Sequence, residues 1–271
     1  IPSGARVSAP FEGPEGEPNT LGGYLVLMLS VVLGLLFHNY GSKMRKFFFG
    51  ILIFCILITL AATLSRSSWL SLGPMLFALI VFSKRKLPVI LTLMILLVVV
   101  LMLVPTPVKE RALYTFTQRQ EVGQLKVGAV RIDTSTSARL MSWRQVLAHD
   151  FQNHPILGYG VTGYHFVDAQ YPRVLAETGL LGLYLFLALI GAIYRNARDT
   201  RRLYTEDPFY LGLTTGYLAG LFALLTHAIG ANTFIIVRIM EPFWFLTAIV
   251  IMIPNVSPQP DQRVANVPSS G

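Results

Sequence analysis

The sequence predicts an all-α bundle of membrane-crossing helices, and three observations lead there. The chain is 53% hydrophobic and only 13% charged, with a mean hydropathy of +0.57, far from the makeup of a soluble domain. Its apolar residues fall in about seven blocks of roughly the 20-residue length that carries a helix across a hydrocarbon core. Between the blocks, Lys and Arg concentrate in every second connection.

The expected spans are 21–38, 47–64, 68–83, 87–104, 174–194, 209–229 and 233–253. They divide the chain into an outer segment (1–20), four helices (21–104), a long outer loop (105–173), three helices (174–253) and a tail (254–271). The basic connections are "GSKMRK" (41–46), "SKRK" (83–86) and "YRNARDTRR" (194–202). Positive charge stays in the cytoplasm, so residues 1–20, the turn at 65–67, the loop 105–173 and the turn near 230 are expected outside, in the periplasm. This placement accounts for the net charge of +8 without a nucleic-acid partner. The tail is rich in Pro, Ser and Asn and is expected to be disordered and cytoplasmic. The opening "IPSGARVSAPFEGPEGEPNT" is polar and reads as an internal loop rather than a signal peptide. The expectation is therefore a piece of a longer chain whose earlier spans are missing. The single cysteine, Cys55, lies within an apolar block and reads as a packing residue.

Within the long loop, "TSTSARLMSWRQVLAHDFQ" (134–152) places Leu140, Trp143, Leu147 and Phe151 at helical spacing. Ser135 to Ser137 offer N-caps. An amphipathic helix lying on the membrane or over the bundle is expected. "NHPILGYGVTG" (153–163) then breaks the helix with Pro155, Gly158, Gly160 and Gly163.

Few residues outside the basic connections carry chemistry. Arg66, between Ser65 and Ser67, opens the third span, where a helix N-terminus already favours anions. It reads either as a phosphate ligand or as an anchor snorkelling to headgroups. Arg139, four residues before Trp143, reads as a ligand for a phosphorylated lipid or sugar, or as an interfacial contact. Asp168 and Glu177 flank the start of the fifth span. Asp168 suits a helix cap or a proton acceptor, and Glu177 a packing salt bridge, with Arg173 one helical turn before it. His165, three residues from Asp168, is a second candidate acceptor. No histidine or cysteine shows metal-ligand spacing, so no metal site is expected, nor is any other cofactor. There is no nucleotide-binding glycine loop and no Ser–His–Asp signature.

At these residues a resemblance enters. "RVSAPFEGPEGEPNTLGGYL", "TLSRSSWLSLG", "SARLMSWRQVLAHDFQNHPILGYG" and "YPRVLAETGLLGLYLFL" resemble the successive signatures of the O-antigen ligase and O-antigen polymerase family, in order, from residue 6 to about 250. The resemblance implies a GT-C-like membrane glycosyltransferase of the bacterial inner membrane, metal-independent and inverting. Such enzymes move a glycan from undecaprenyl diphosphate to an acceptor hydroxyl, on a glycan or a lipid, at the periplasmic face. Membrane lipids and other polysaccharide-assembly proteins are the further partners it implies. In the family, arginines hold the lipid diphosphate and a histidine acts as base. Arg66 in "SRSSW" and Arg139 in "SARLMSW" match the arginines, and Glu177 and Arg173 support the site. The histidine position, counted back from Gly179, falls on Asp168. That departure points away from the ligase proper and toward a polymerase of O-antigen or exopolysaccharide units. The competing readings are a ligase, a transporter of lipid-linked glycans and a non-catalytic export component. A transporter would carry polar residues at mid-span and repeats, and these spans are mostly Leu, Ile, Val and Phe.

Overall fold

The computed structural model describes residues 7–8, 16–38, 40–84, 86–87, 89–91, 94, 126–127, 130–131 and 134–257. Among these residues five helices are long and apolar enough to cross a membrane: α1 (Pro18–Phe37), α2 (Lys43–Ala62), α5 (Gln170–Leu203), α6 (Pro208–His227) and α7 (Val237–Val256). The third expected span is the shorter helix α3 (Arg66–Phe82), and the loop contributes α4 (Thr134–Gln145). Most of the expected span 87–104 lies outside the described residues, as do most of the segment 1–20, most of 105–133 and the tail beyond 257. Among the described residues the secondary structure is helical except for one feature the sequence reading omitted. A two-residue antiparallel ladder pairs Lys126 with Arg131 and Val127 with Val130.

Local chemistry sets the helix ends. Pro18 and Pro208 each open a helix at a position where the missing N–H costs nothing. Asp207 caps α6 by accepting from the amides of Phe209 (2.9 Å) and Tyr210 (3.2 Å). Ser42 and Ser65 cap α2 and α3. Two boundaries differ from expectation. The α2–α3 turn is Thr63–Ser65, and Arg66 is already the first residue of α3. The basic stretch 194–202 is helix, since α5 runs on to Leu203 before the chain turns.

The antiparallel pair α1 and α6 forms the centre of the bundle. It packs against α2 and α3 on one side, and against α5 and α7 on the other. One apolar cluster joins Leu25, Leu29 and Leu33 of α1 to Ile53, Ile56, Met75, Leu79 and Ala219. A second joins Leu27 of α1 to Ile190, Tyr217, Leu221, Ile239 and Phe243. Outward faces stay apolar: Phe47, Phe48, Ile51, Phe54 and Ile58 on α2, and Trp244, Phe245 and Met252 on α7, are exposed. A helix apolar on all sides suits a lipid surround rather than water.

In lipid, helices gain little from burying apolar surface against one another, so close van der Waals packing must hold them. The α1–α6 contact supplies it. Gly212, Gly216 and Gly220 recur every four residues along α6 and meet Gly34, Val31 and Ser30 of α1. A Cβ on Gly216 would stand 2.6 Å from the Ser30 carbonyl oxygen and 2.7 Å from Val31 Cα. Two polar groups buried near this contact are satisfied. Ser30 Oγ donates to Leu27 O (2.7 Å), and Tyr217 Oη lies 2.6 Å from Thr247 Oγ1.

This contact predicts a sharp asymmetry among glycines. Gly216→Leu should destabilise the protein by about 3 kcal/mol by overpacking, read as a lowered Tm in detergent. Gly191 has nothing within 4 Å of a Cβ position, so Gly191→Ala should leave stability unchanged or raise it by about 0.5 kcal/mol.

Candidate functional site

The candidate site lies at the end of the bundle where α1, α3, α5 and α7 begin and α2 and α6 finish. The tight turn Thr63–Ser65 sets the start of α3, and Leu64 has φ of 52° there. That conformation is unusual for a branched apolar residue and is held by its neighbours. Thr63 Oγ1 donates to Leu60 O (2.7 Å) and accepts from the Ser65 amide (3.2 Å), while Trp69 Nε1 donates to the same Leu60 carbonyl (3.3 Å). Arg66 leaves this turn as the first helical residue, half-buried.

Beside it runs a buried chain of polar side chains. His227, fully buried at the end of α6, has Nδ1 2.8 Å from Thr233 Oγ1 and Nε2 3.1 Å from Ser68 Oγ. Ser68 Oγ donates to Ser65 Oγ (2.8 Å), Ser65 Oγ to Asn19 Oδ1 (2.7 Å), and Asn19 Nδ2 to Glu17 Oε1 (2.8 Å). These partners assign the proton positions. Because Ser68 gives its hydrogen to Ser65, it must accept from His227 Nε2–H, and Nδ1 then accepts from Thr233. Five hydrogen bonds thus run in one direction from Thr233 to the Glu17 carboxylate. Gly22 and Gly23 let the chain form, because a Cβ on Gly22 would collide with Ser68 and one on Gly23 would stand 3.2 Å from His227 Cε1.

The sequence reading missed His227, Asn19 and Gln170. The available signal was cost: a histidine at the end of an apolar span is expensive without a partner. Gln170 joins the start of α5 to the α6–α7 connection. Its amide donates to Ala228 O (3.1 Å), and its Oε1 accepts from the Phe234 amide (2.8 Å). Asn232 Nδ2 donates to Val167 O (2.8 Å).

The loop helix departs from its predicted face. α4 starts at Thr134, so Ser135 to Ser137 occupy its first turn rather than preceding it. It then continues through a π turn, Val146–Asp150, before one last helical turn at Phe151–Asn153. The wider turn shifts the register. Val146 is buried, Trp143 and Phe151 pack beside it, and Leu140 and Leu147 are exposed.

Next comes a strap whose glycines have a definite purpose. α5 is broken at Gly179, with φ 66° and ψ −165°. The break frees backbone groups on both sides, and four of them are taken up by residues 155–160. The amides of Tyr159 and Gly160 donate to Ala176 O and Glu177 O (both 2.9 Å), and the amides of Leu180 and Leu181 donate to Pro155 O (2.9 Å) and Ile156 O (3.2 Å). A Cβ on Gly158 would stand 2.6 Å from Ala176 O. The strap and the "ETGLLG" stretch are therefore two halves of one structure.

The structure brings some of the candidate residues together. Arg139 donates to Asp168 Oδ2 through Nε (3.2 Å) and Nη2 (2.8 Å), across 29 positions of sequence. Asp168 is not the cap of α5, since Ala169 holds that position without a side-chain bond. Glu177 is paired with Arg173 at 3.0 Å, one turn away, with both side chains largely buried, and Arg173 lies over the Phe166 ring. Arg66, at the start of α3, is two residues before Ser68, which lies 3.1 Å from His227 Nε2. His165 is exposed and stacks on Tyr164 with ring centroids 4.0 Å apart. Rings of His154, Tyr159, Tyr164 and His165 continue in a row. Tyr164 donates to the Asp150 carboxylate, and burial together with that carboxylate pushes its hydroxyl up, so it is a fixed donor.

A family model described as O-Antigen ligase matches residues 51–187, a span that contains α3, the loop helix, the strap and the broken helix α5 down to the start of its long arm. No curated protein matches the chain.

The strap makes a prediction about local opening. Gly179→Ala places a side chain at φ 66° against the Ile156 carbonyl. The amides of Gly160 and Leu180 should then exchange with solvent about tenfold faster or more, read by hydrogen-exchange mass spectrometry. Gly73→Ala, at a position with open space, should leave those amides protected.

Proposed function

The chain belongs to the O-antigen ligase family of membrane proteins, and from that premise we propose that it is a glycosyltransferase working at the periplasmic face of the bacterial inner membrane. Its donor is a glycan on undecaprenyl diphosphate, and its acceptor is a sugar hydroxyl. Polymerisation of O-antigen or exopolysaccharide units is the favoured outcome, because an aspartate stands where the family's ligases are expected to have histidine.

The observation that supports this reading is the Arg139–Asp168 pair, which couples a diphosphate ligand to a proton acceptor. Two of the five guanidinium N–H donors of Arg139 hold Asp168 Oδ2, and the others are available to a diphosphate oxygen. Among the described residues no hydrogen bond reaches Asp168 Oδ1, which leaves it to accept from the acceptor hydroxyl. That oxygen attacks the anomeric carbon as its proton passes to Asp168. The bond from this carbon to the diphosphate oxygen breaks, and the diphosphate leaves with the electron pair. Arg139, and Arg66 at the α3 N-terminus, neutralise the developing charge by charge-assisted hydrogen bonds. This is the work a divalent metal ion performs in other phosphate chemistry. Glu177 and Arg173 hold the first turns of α5 in place, and His165 belongs to the ring row that meets the glycan.

Asp168→Asn keeps shape and polarity while removing the proton acceptor. Polysaccharide formation should fall about 100-fold with the protein still in the membrane. Arg66→Ala and Arg139→Ala should abolish product, and Lys at either site should restore little, because the planar fork is lost. His165→Ala should cost less than Asp168→Asn, and the reverse order moves the base to His165. Deleting the gene separates the outcomes on a gel, where accumulated single units mean polymerase and unattached long chains mean ligase.

The proposed topology has its own check. On a Cys55→Ala background, Leu157→Cys should react with an impermeant thiol reagent in cells with a permeabilised outer membrane. Asp199→Cys should react only after the inner membrane is opened. Both positions are exposed, so labelling of Asp199→Cys in intact spheroplasts inverts the orientation.

A further inference from the structure

The opposite end of the bundle holds a cavity of about 260 Å³. It lies between the ends of α1 and α3 and the start of α6, lined by Phe37, His38, Ser83, Lys84, Glu206 and Leu211 among others. Among the described residues three buried side-chain polar atoms have no hydrogen-bond partner in the protein, and two of them, His38 Nε2 and Ser83 Oγ, belong to residues that line this cavity. Ser83 is only 5% exposed. A buried polar atom without a partner costs about 1–3 kcal/mol, so two in one cavity indicate what the space is shaped to receive. The volume exceeds the roughly 30 Å³ share of a single water several-fold.

The chemistry of each lining group narrows the ligand. His38 Nδ1 lies 2.9 Å from Gly34 O. A carbonyl only accepts, so Nδ1 carries the hydrogen. Burial holds this histidine below its usual range, and the Arg201 and Lys84 charges add to that. The ring is therefore neutral, and Nε2 is a bare acceptor that needs a donor. Lys84 Nζ donates to Thr205 O (2.8 Å) and Glu206 Oε1 (2.9 Å), which uses two of its three hydrogens and leaves one for an acceptor. With Lys84 and Arg201 set against Glu206, the surroundings favour an anion. The cavity also lies level with the ends of the spans, Phe37 and Phe82, and the start of α6 at Pro208, the depth at which lipid headgroups lie.

We propose that this cavity binds a glycerol phosphate ester, with a ligand hydroxyl donating to His38 Nε2, a second hydroxyl meeting Ser83 Oγ and a phosphate oxygen accepting from Lys84. It uses no residue of the Arg139–Asp168 site and stands independently of the reaction proposed there. Phosphate, hydroxyl and reach are all supplied by the headgroup of a phosphatidylglycerol lipid, or by free glycerol 3-phosphate.

The test uses the full chain in phosphatidylcholine nanodiscs carrying a minor fraction of either phosphatidylglycerol or phosphatidylethanol. The two anionic lipids have the same charge and phosphodiester, and only the first has hydroxyls. Native mass spectrometry of the released protein should show phosphatidylglycerol retained about tenfold over phosphatidylethanol, the size of one hydrogen bond of about 1.4 kcal/mol. His38→Leu and Ser83→Ala should bring that ratio toward one, and either variant alone suffices if the other does not fold. Lys84→Met, at a side chain 46% exposed, should lower retention of both anionic lipids together. Displacement of the lipid by glycerol 3-phosphate identifies the free ester as a sufficient ligand, and failure to displace assigns the site to the lipid. Equal retention of the two lipids by the unaltered protein overturns the proposal. So does a ratio that survives both His38→Leu and Ser83→Ala, or anionic retention unchanged in Lys84→Met.

Discussion

The contact between α1 and α6 is the constraint on which the rest of the bundle depends. Two backbones approach closely enough that a single methyl group at Gly216 would collide with Ser30 and Val31. Helices in lipid lack the hydrophobic drive that collapses a soluble core, and dispersion over a close, complementary surface takes its place. Because α1 and α6 each touch both apolar clusters, their spacing sets where α2 and α3 lie on one side and α5 and α7 on the other. The same approach carries His227 at the end of α6 to Gly23 of α1 and Ser68 of α3. The packing rests on Gly34, Gly212, Gly216 and Gly220, and the buried polar chain on Gly22 and Gly23 of the same α1.

A second constraint is the backbone accounting around Gly179. Breaking a helix inside an apolar layer exposes carbonyls and amides that must be satisfied by something. Here residues 155–160 satisfy them with four hydrogen bonds. The strap ties the loop helix to the first turns of α5, and this is what lets Arg139 meet Asp168 from 29 positions away. The chemistry proposed for the site relies on that meeting. A guanidinium that holds a carboxylate by two donors keeps both groups in fixed orientation before any ligand arrives, which is the preorganisation that makes electrostatic stabilisation effective.

The two ends of the bundle differ in kind. At one, the Arg139–Asp168 pair and, at the start of α3, Arg66 lie at the same end as a chain of neutral hydroxyls and amides. At the other, Lys84 and Glu206 line a cavity together with His38 and Ser83. The asymmetry agrees with the distribution of Lys and Arg along the sequence, which concentrates cations at the ends of α1, α3 and α5 and the start of α2.

By itself the sequence determined the helical class and the apolar segments that form α1, α2, α3, α5, α6 and α7. Span length and charge alternation are local quantities, legible wherever the chain is read, and the signature stretches recur in order along it. The packed face of the loop helix was not legible: Val146 is buried while Leu140 and Leu147 are exposed, and no residue type announces the π turn at Val146–Asp150. Nor was the role of the "ETGLLG" glycine, whose positive φ has meaning only beside the strap that satisfies the break. Only the tertiary structure decided which helices are central, that Asp168 pairs with Arg139 instead of capping α5, and that His227 completes a buried chain from Thr233 to Glu17. Each of these depends on two backbones approaching from distant parts of the chain, and distance in space is a quantity that residue order does not carry.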